Sequence, residues 1–470
     1  MRIVFVSSEC APYSKTGGLA DVAGSLPKEF LKMGHEVLVI TPKYREVRQN
    51  LEYVNDYIIP MYNKNESAII KKHVQYVDGK ELNTYFVSNA YYFERVGMYC
   101  HSDEPERYSF FDKVACRIID EFKPDIVHLN DWQTGPIAVL MRDVYRNYTS
   151  RIIYTIHNME YNGRFPAENI IHLGLDPNIY MKPDKLEFYG DLSFSKAGIL
   201  YADMVTTVSN TYAREIQTRD YGFGYEGLLK FKKEQNRLVG IVNGIDYDKY
   251  NPETGNALYK RYNKDTVENK KINKARLQEE LGLPVKDVPM ISIIARVVQH
   301  KGFDILIESL KELLKEDIQF VQLGVGEDHY INRMILLKEK YPDKVSINNI
   351  FDDDLAEKIY AASEIFMMPS LFEPCGLSQL IGFRFGTIPI ARKTGGLNDT
   401  VIGYLGNKEE GNGFTFFNAS EEDLTEVTRL ALKEYENKEE WTKLQKRVMD
   451  IDCSWKHSAN QYLEIYKRIV

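Results

Sequence analysis

The sequence predicts an α/β protein built from two doubly wound, Rossmann-like domains. Three observations predict it. Short apolar runs of strand length alternate with segments whose apolar residues recur at helical spacing, first between Ile3 and Asp246 and again between Met290 and Lys393. The 470-residue length exceeds one ordinary core, for which about 150 residues is typical. The pattern KTGGLAD at Lys15–Asp21 returns as KTGGLND at Lys393–Asp399, suggesting two similar strand-to-helix corners.

IVFVSS opens the chain as a buried strand. After a loop ending in Gly17 and Gly18, a helix carries Leu19, Val22, Ala23, Leu26 and Phe30 on one face, and Gly34 stops it. EVLVITP from Glu36 is the next parallel strand, so the ligand side of this βαβ unit lies at the strands' carboxyl ends. From Leu51 to Asn89, alternating Tyr- and Val-rich segments around Asp78–Gly79 predict hairpins at the sheet edge. A helix is expected from Phe110 to Phe122. DIVHLND, RIIYTIHN and DMVTTVS then deliver Asp131, His157 and Ser209 to strand ends, and RLVGIVNGID, Arg237–Asp246, is the last strand of this half. The tract YDKYNPETG has the composition of a connection. Beyond a helix near Lys270 to Leu281, MISIIARV, IQFVQLGVG, VSINNIF, EIFMMPS and TIPIARK repeat the strand pattern. The expected domains are residues 1–245 and 246–454, with an amphipathic helix at 455–470 crossing back to bridge them.

Composition excludes several functions. A hydrophobic share of 44% and a charged share of 27% are those of a soluble globular chain, and no apolar run approaches the roughly 18 residues of a membrane span. Sixty Lys and Arg against 68 Asp and Glu give a net charge of −8, with no long basic block, so nucleic acid is not expected as a partner. The five scattered cysteines have neither zinc spacing nor a disulfide framework, which fits a reducing cytoplasm. No apolar leader or Ser/Arg-rich transit segment is recognised, so secretion and organelle import are not expected.

Four stretches could carry chemistry. At Lys15, Gly17 and Gly18 a glycine pair admits close approach of a ligand to backbone, and the N–H groups of the following helix start attract phosphate. Any parallel α/β unit opens in the same way, which is the competing reading. Arg296 and Lys301, past the strand MISII, are placed to clamp a diphosphate, or are two solvated cations of a loop. In EPCGLSQL, Pro374 and Gly376 impose a turn. The N–H groups of Leu377 and Ser378 then open a helix as a second anion site, with Glu373 turned to a sugar. Glu373 as a carboxylate favoured by the helix dipole is the alternative. His157 and Asp131 end neighbouring strands, where they hydrogen-bond a sugar hydroxyl, move a proton, or are simply satisfied polar residues. Asp352–Asp353–Asp354 invites a hard metal, but acids in a first helical turn account for it, and no metal site is expected. There is no G-x-G-x-x-G after the first strand and no G-x-S-x-G elbow.

Taken together, KTGGLADV, IHNMEYNG, YGFGYEGLL, NGID, ARVVQHKG, FEPCGLSQL and ARKTGGLNDTV resemble the bacterial glycogen synthase and plant starch synthase family, in order and over nearly the whole chain. The resemblance implies the GT-B glycosyltransferase fold, two Rossmann-like domains facing a central cleft. It further implies transfer with retention from a nucleotide-sugar donor, ADP-glucose in the bacterial branch, to an α-1,4-glucan acceptor, with no cofactor and no metal ion. Carried over residue by residue, the catalytic candidates are Glu373, Arg296, Lys301, His157 and Asp21. The substrate-binding candidates are Lys15, Gly17, Gly18, Asp131, Asn243, Phe351, Cys375, Gly376, Leu377 and Ser378. The chain departs from the family at Asn130 and Gln133, where His is usual on either side of Asp-Trp, and at Glu357, where a Leu-Ala-His run is usual. Three rival readings are a UDP-glucose-using enzyme, a small-acceptor transferase of the same fold, and an inactive glucan-binding protein.

Overall fold

The computed structural model describes residues 1–470, which divide into two compact units: Met1–Asn243 with Trp455–Val470, and Gly244–Ser454.

The first unit begins with β1 (Arg2–Val6), β2 (Glu36–Pro42), β3 (Glu52–Pro60), β4 (Asn65–Val77), β5 (Lys80–Ser88), β6 (Ile126–Asn130) and β7 (Arg151–Ile156). Three very short strands follow, β8 (Arg164–Pro166), β9 (Glu187–Phe188) and β10 (Asp191–Ser193), and form a small sheet in the order β8-β10-β9. They are too short to show any alternation, which is why the sequence does not reveal them. With β11 (Met204–Thr207) and β12 (Leu238–Gly240), the main sheet runs β12-β11-β7-β6-β1-β2-β5-β4-β3.

Burial explains the apolar runs. β1 lies between two parallel neighbours, β2 and β6, and Ile3, Val4, Phe5 and Val6 are wholly buried. From β1 the chain goes to β2 on one side and later to β6 on the other, so the topological switch point lies between β1 and β6. At the other edge β3, β4 and β5 form an antiparallel meander whose last strand pairs parallel with β2. Asp78 and Gly79 both have positive φ, 50° and 76°, as the two-residue turn joining Val77 to Lys80 requires.

The helix Trp455–Ile469 belongs to this unit. Trp455, Ala459, Tyr462, Leu463, Ile465 and Tyr466 join the apolar cluster of Ile3, Phe5 and Phe30. The Tyr466 hydroxyl lies 2.6 Å from His128 Nδ1 on β6, His128 Nε2 2.6 Å from Thr155 Oγ1 on β7, and Thr155 Oγ1 2.6 Å from Thr206 Oγ1 on β11. Burial pushes the His128 imidazole down to about 3. The helix crosses back to the first unit, as expected, and is part of its core. The expected boundary after residue 245 falls after 243, because Ile245 N donates to Cys453 O at 2.8 Å and Ile245 bridges Ser454, tying it to the second unit.

The second unit has six parallel strands: β13 (Met290–Ile294), β14 (Gln319–Leu323), β15 (Val345–Asn348), β16 (Ile365–Met368), β17 (Ile388–Arg392) and β18 (Phe414–Phe416). Their order, β15-β14-β13-β16-β17-β18, puts the switch point between β13 and β16. The helices Phe303–Leu313 and Glu421–Glu436 contribute Leu306, Leu310, Leu424 and Ala431 to the same core as Ile291 and Phe366.

Candidate active site

In the first unit the site residues gather past β1, β6 and β7, three adjacent strands around the switch point. The loop after β1 is held by Glu9, a residue that stands in no recognisable motif. Glu9, 4% exposed, accepts from Thr16 N at 2.6 Å, Gly17 N at 3.2 Å and Thr16 Oγ1 at 2.6 Å. Its Oε1 also accepts from the Tyr99 hydroxyl at 2.8 Å, which lies 2.9 Å from Ser8 Oγ. The Thr16 and Gly17 amides, just ahead of the helix start, thus serve a carboxylate of the chain itself. A charged residue in an otherwise apolar and small-residue stretch, SSECAP, was the available signal, since a buried acid needs partners.

Gly17 itself is unforced. Its φ of −155° is extended, and a Cβ there would meet nothing within 4 Å. Gly18 opens the helix Gly18–Lys32 and is exposed. Lys15 Nζ bonds Asp21 Oδ1 at 2.8 Å, so the two candidates neutralise each other, with Asp21 also in the helix's first turn.

Asp131 and His157 are brought together. Asp131 follows β6 with φ 57°, and its Oδ1 accepts from His157 N at 2.7 Å. Burial raises the Asp131 carboxyl to about 7, helped by the charge of Glu9 and opposed by the amides of His157 and Asn158. The same burial drops the His157 imidazole to about 3, so it is neutral near pH 7. Ser209 has a different task, capping the helix Asn210–Glu215 by accepting from Tyr212 N at 3.1 Å. Asn243 is 6% exposed and its side-chain oxygen has no hydrogen-bond partner.

In the second unit the switch point is spanned by an ion pair. Lys301, from the turn after β13, places Nζ 2.5 Å from Glu373 Oε2, from the loop after β16. Ser370 Oγ donates to the same oxygen at 3.0 Å, and the Arg392 guanidinium secures the loop through Ser370 O at 3.3 Å and Leu371 O at 2.6 Å. Glu373 is thus buried against a lysine five residues before the helix Ser378–Arg384, which removes the reading of it as a dipole-favoured helix-start acid. Arg296 lies two residues past the end of β13, exposed and engaged with no carboxylate. His300 beside them falls to about 4, through burial first and the Lys301 charge second.

The second KTGG corner explains how the Glu373 loop is held. Gly395 and Gly396 begin the helix Gly395–Thr400, and a Cβ on them would overlap the carbonyl oxygens of Glu373 and Cys375 respectively. Gly396 N donates to Glu373 O at 3.0 Å. Cys375 is buried, and the Gln379 amide donates to Cys375 O at 3.1 Å and Gly376 O at 2.9 Å, fixing the turn where Gly376 has φ 72°. Leu377 precedes the helix and Ser378 is its first residue. Phe351, 74% exposed, stands between β15 and the helix Asp353–Ala362. That helix is capped by Asp352, which accepts from Leu355 N at 2.9 Å, so the acidic triplet serves the helix start.

Known proteins resemble the chain along its whole length. Residues 2–231 match the family model described as starch synthase catalytic domain, and residues 274–448 that of glycosyl transferases group 1. A glycogen synthase of Desulforudis audaxviator is 44% identical over 99% of this chain and 96% of its own length. One from Clostridium perfringens is 42% identical over 100% and 98%. The catalytic domain of starch synthase IV from Arabidopsis thaliana, solved bound to ADP and acarbose, superposes with a TM-score of 0.92 at 34% identity over 99% of both chains. Sucrose-phosphate synthase of Thermosynechococcus elongatus shares the fold, with a TM-score of 0.65 at 16% identity. Matched in both halves and along its whole length, the chain belongs to the glycogen synthase and starch synthase family of glycosyltransferases and has its GT-B fold.

Proposed function

We propose that this glycosyltransferase moves glucose from ADP-glucose to the non-reducing end of an α-1,4-glucan, with retention at the anomeric carbon and without a metal ion. The observation that carries the proposal is the Lys301–Glu373 pair across the second unit's switch point, with the unengaged Arg296 guanidinium on the same strand end. The ADP and acarbose held by the Arabidopsis relative support the donor and the acceptor class.

The chemistry asks for little beyond charge stabilisation. A nucleoside diphosphate leaves as a stable anion, so the barrier is lowered chiefly by cations on the developing phosphate charge. Arg296 and Lys301 supply them, taking the role a divalent ion fills elsewhere, and Phe351 offers a ring for the base. Glu373 steadies positive charge on the sugar and orients it. The acceptor hydroxyl attacks on the face the diphosphate is leaving: the new C–O bond forms as the sugar–phosphate bond breaks, and the departing phosphate oxygen takes the hydroxyl proton. Lys15, Gly17 and Gly18 are the first unit's contribution to donor binding. Asp131, Asn243, His157 and the Cys375–Ser378 turn line the sugars. None of the five cysteines forms a disulfide, which suits the cytoplasmic location proposed with this activity.

The test is incubation of the purified protein with glycogen and either ADP-glucose or UDP-glucose, with and without EDTA. Chain elongation with ADP-glucose, unchanged by EDTA, is expected. Elongation with neither donor overturns the activity, a preference for UDP-glucose overturns the donor assignment, and loss in EDTA overturns the metal-free part.

A further inference from the structure

The structure gives Asn130, at the carboxyl end of β6, a defined job. Its side chain is wholly buried at the end of β6. Nδ2 donates to Val6 O at 3.0 Å and faces His128 O at 3.4 Å, while Oδ1 lies 2.9 Å from His157 Nε2. Two carbonyl oxygens around the amide nitrogen fix which way the amide points, because the reversed amide would set its own carbonyl against both. The oxygen therefore faces the imidazole. An amide oxygen only accepts, so Nε2 must carry the hydrogen, and a neutral imidazole has one N–H. The ring is neutral near pH 7, since burial holds it well below its ordinary value. Its other nitrogen, Nδ1, is left as a bare acceptor, and the Nε2 bond is the side chain's one hydrogen bond within the chain. The backbone is pinned as well, through His157 N to Asp131 Oδ1 at 2.7 Å.

We infer that Asn130 is a positioning residue that locks His157 in the Nε2–H form, so that Nδ1 accepts a hydrogen bond from a sugar hydroxyl of the donor or acceptor. The role in transfer rests on His157 lining the sugar site, as proposed above; the lock itself does not. A histidine at position 130 donates or accepts equally well and releases the choice, and an aspartate draws a proton onto both ring nitrogens and turns Nδ1 into a donor.

The protein labelled with 15N-histidine tests this, with the His157 signals identified by their loss in His157→Ala. In the wild-type chain Nε2 is expected to be pyrrole-like and Nδ1 pyridine-like. Asn130→Ala should mix the two forms and Asn130→Asp should give the doubly protonated ring. Each variant should lower kcat/KM for glucan elongation by about tenfold, the loss of one oriented hydrogen bond. A wild-type Nδ1 that carries the proton overturns the inference, and this reading needs no variant to fold. Altered tautomers in the variants with unchanged kcat/KM overturn the role in transfer. A wild-type protein that fails to elongate glucan with either ADP-glucose or UDP-glucose overturns the proposed function instead, and leaves the lock to be decided by the spectrum alone.

Discussion

At the scale of single residues, the site rests on two buried carboxylates, Glu373 and Glu9, and each sets its own test. Glu373→Gln keeps the side chain's size and its contact with Ser370 but removes the charge facing Lys301. Turnover is expected to fall on the order of 10²-fold or more while the thermal midpoint moves by a few degrees, the mark of a group needed in the transition state. Normal turnover removes Glu373 from the mechanism. Glu9→Gln is expected to behave otherwise. The carboxylate serves two backbone amides and two hydroxyls, and an amide side chain sets N–H groups against some of them, at about 1–3 kcal/mol. We expect a lower unfolding midpoint together with a higher donor KM, because the loop bearing Lys15 loosens. Glu9 also shows where reading residues singly runs out. Lys15, Arg296, Lys301 and Glu373 stand in recognisable stretches, whereas Glu9 matters through contacts with Thr16, seven residues on, and Tyr99, ninety residues on, and spacing reveals only the nearer of these.

At the scale of elements, the two KTGG corners look alike in sequence and differ in what their glycines do. Gly395 and Gly396 lie under the Glu373–Cys375 backbone, with no room for a methyl group, and Gly395 has φ 44°. Gly17 faces open space with extended φ. Gly396→Ala is therefore expected to displace the Glu373 loop, costing more than about 2 kcal/mol in stability as well as activity. Gly17→Ala should leave stability within about 0.5 kcal/mol, so any rise in donor KM it causes reports a ligand approaching that backbone. Equal effects on stability from the two variants would contradict this division. Strand-length apolar runs made the parallel strands legible, and Asp78–Gly79 made the β4–β5 turn legible, because burial and positive φ leave local traces. The little sheet of β8, β9 and β10 left none, its strands being two or three residues long. At the first corner the spacing shows a helix start after glycines but not that Glu9 takes the two amides just ahead of it, Thr16 N and Gly17 N.

At the scale of the molecule, histidines held neutral in the fold couple stability to pH. Between about pH 4 and 6 the unfolded chain holds protons on His128 and His157, which the folded chain keeps neutral down to about 3. The folded chain in turn holds a proton on Asp131, whose folded value is about 7 against an unfolded 3.8. The unfolded state therefore binds one more proton net, so these groups make stability rise with pH by about 1.4 kcal/mol per unit, flattening above pH 6.5 as the histidines discharge in the unfolded chain. His128→Asn removes one histidine contribution and should lower the slope by about 1.4 kcal/mol per unit. Urea midpoints from the fluorescence of Trp132 and Trp455, taken across this range, measure it, and an undiminished slope would exclude His128 as its source. The two-unit division was visible in the repeat of the strand pattern. So was the return of Trp455–Val470 to the first unit, whereas the residues that receive it were not legible, because an amphipathic stripe shows only that a helix has a face to bury.

That last helix bears on the order of events at the ribosome. Its apolar face fills a gap beside Ile3, Phe5 and Phe30, each large side chain worth about 1.5–3 kcal/mol when buried. The nascent chain delivers it only after all 211 residues of Gly244–Ser454 have emerged, so the amino-terminal half waits, with that face uncovered, for the rest of translation. A fragment of residues 1–243 should accordingly aggregate, and a separate peptide spanning residues 455–470 should restore it to solution.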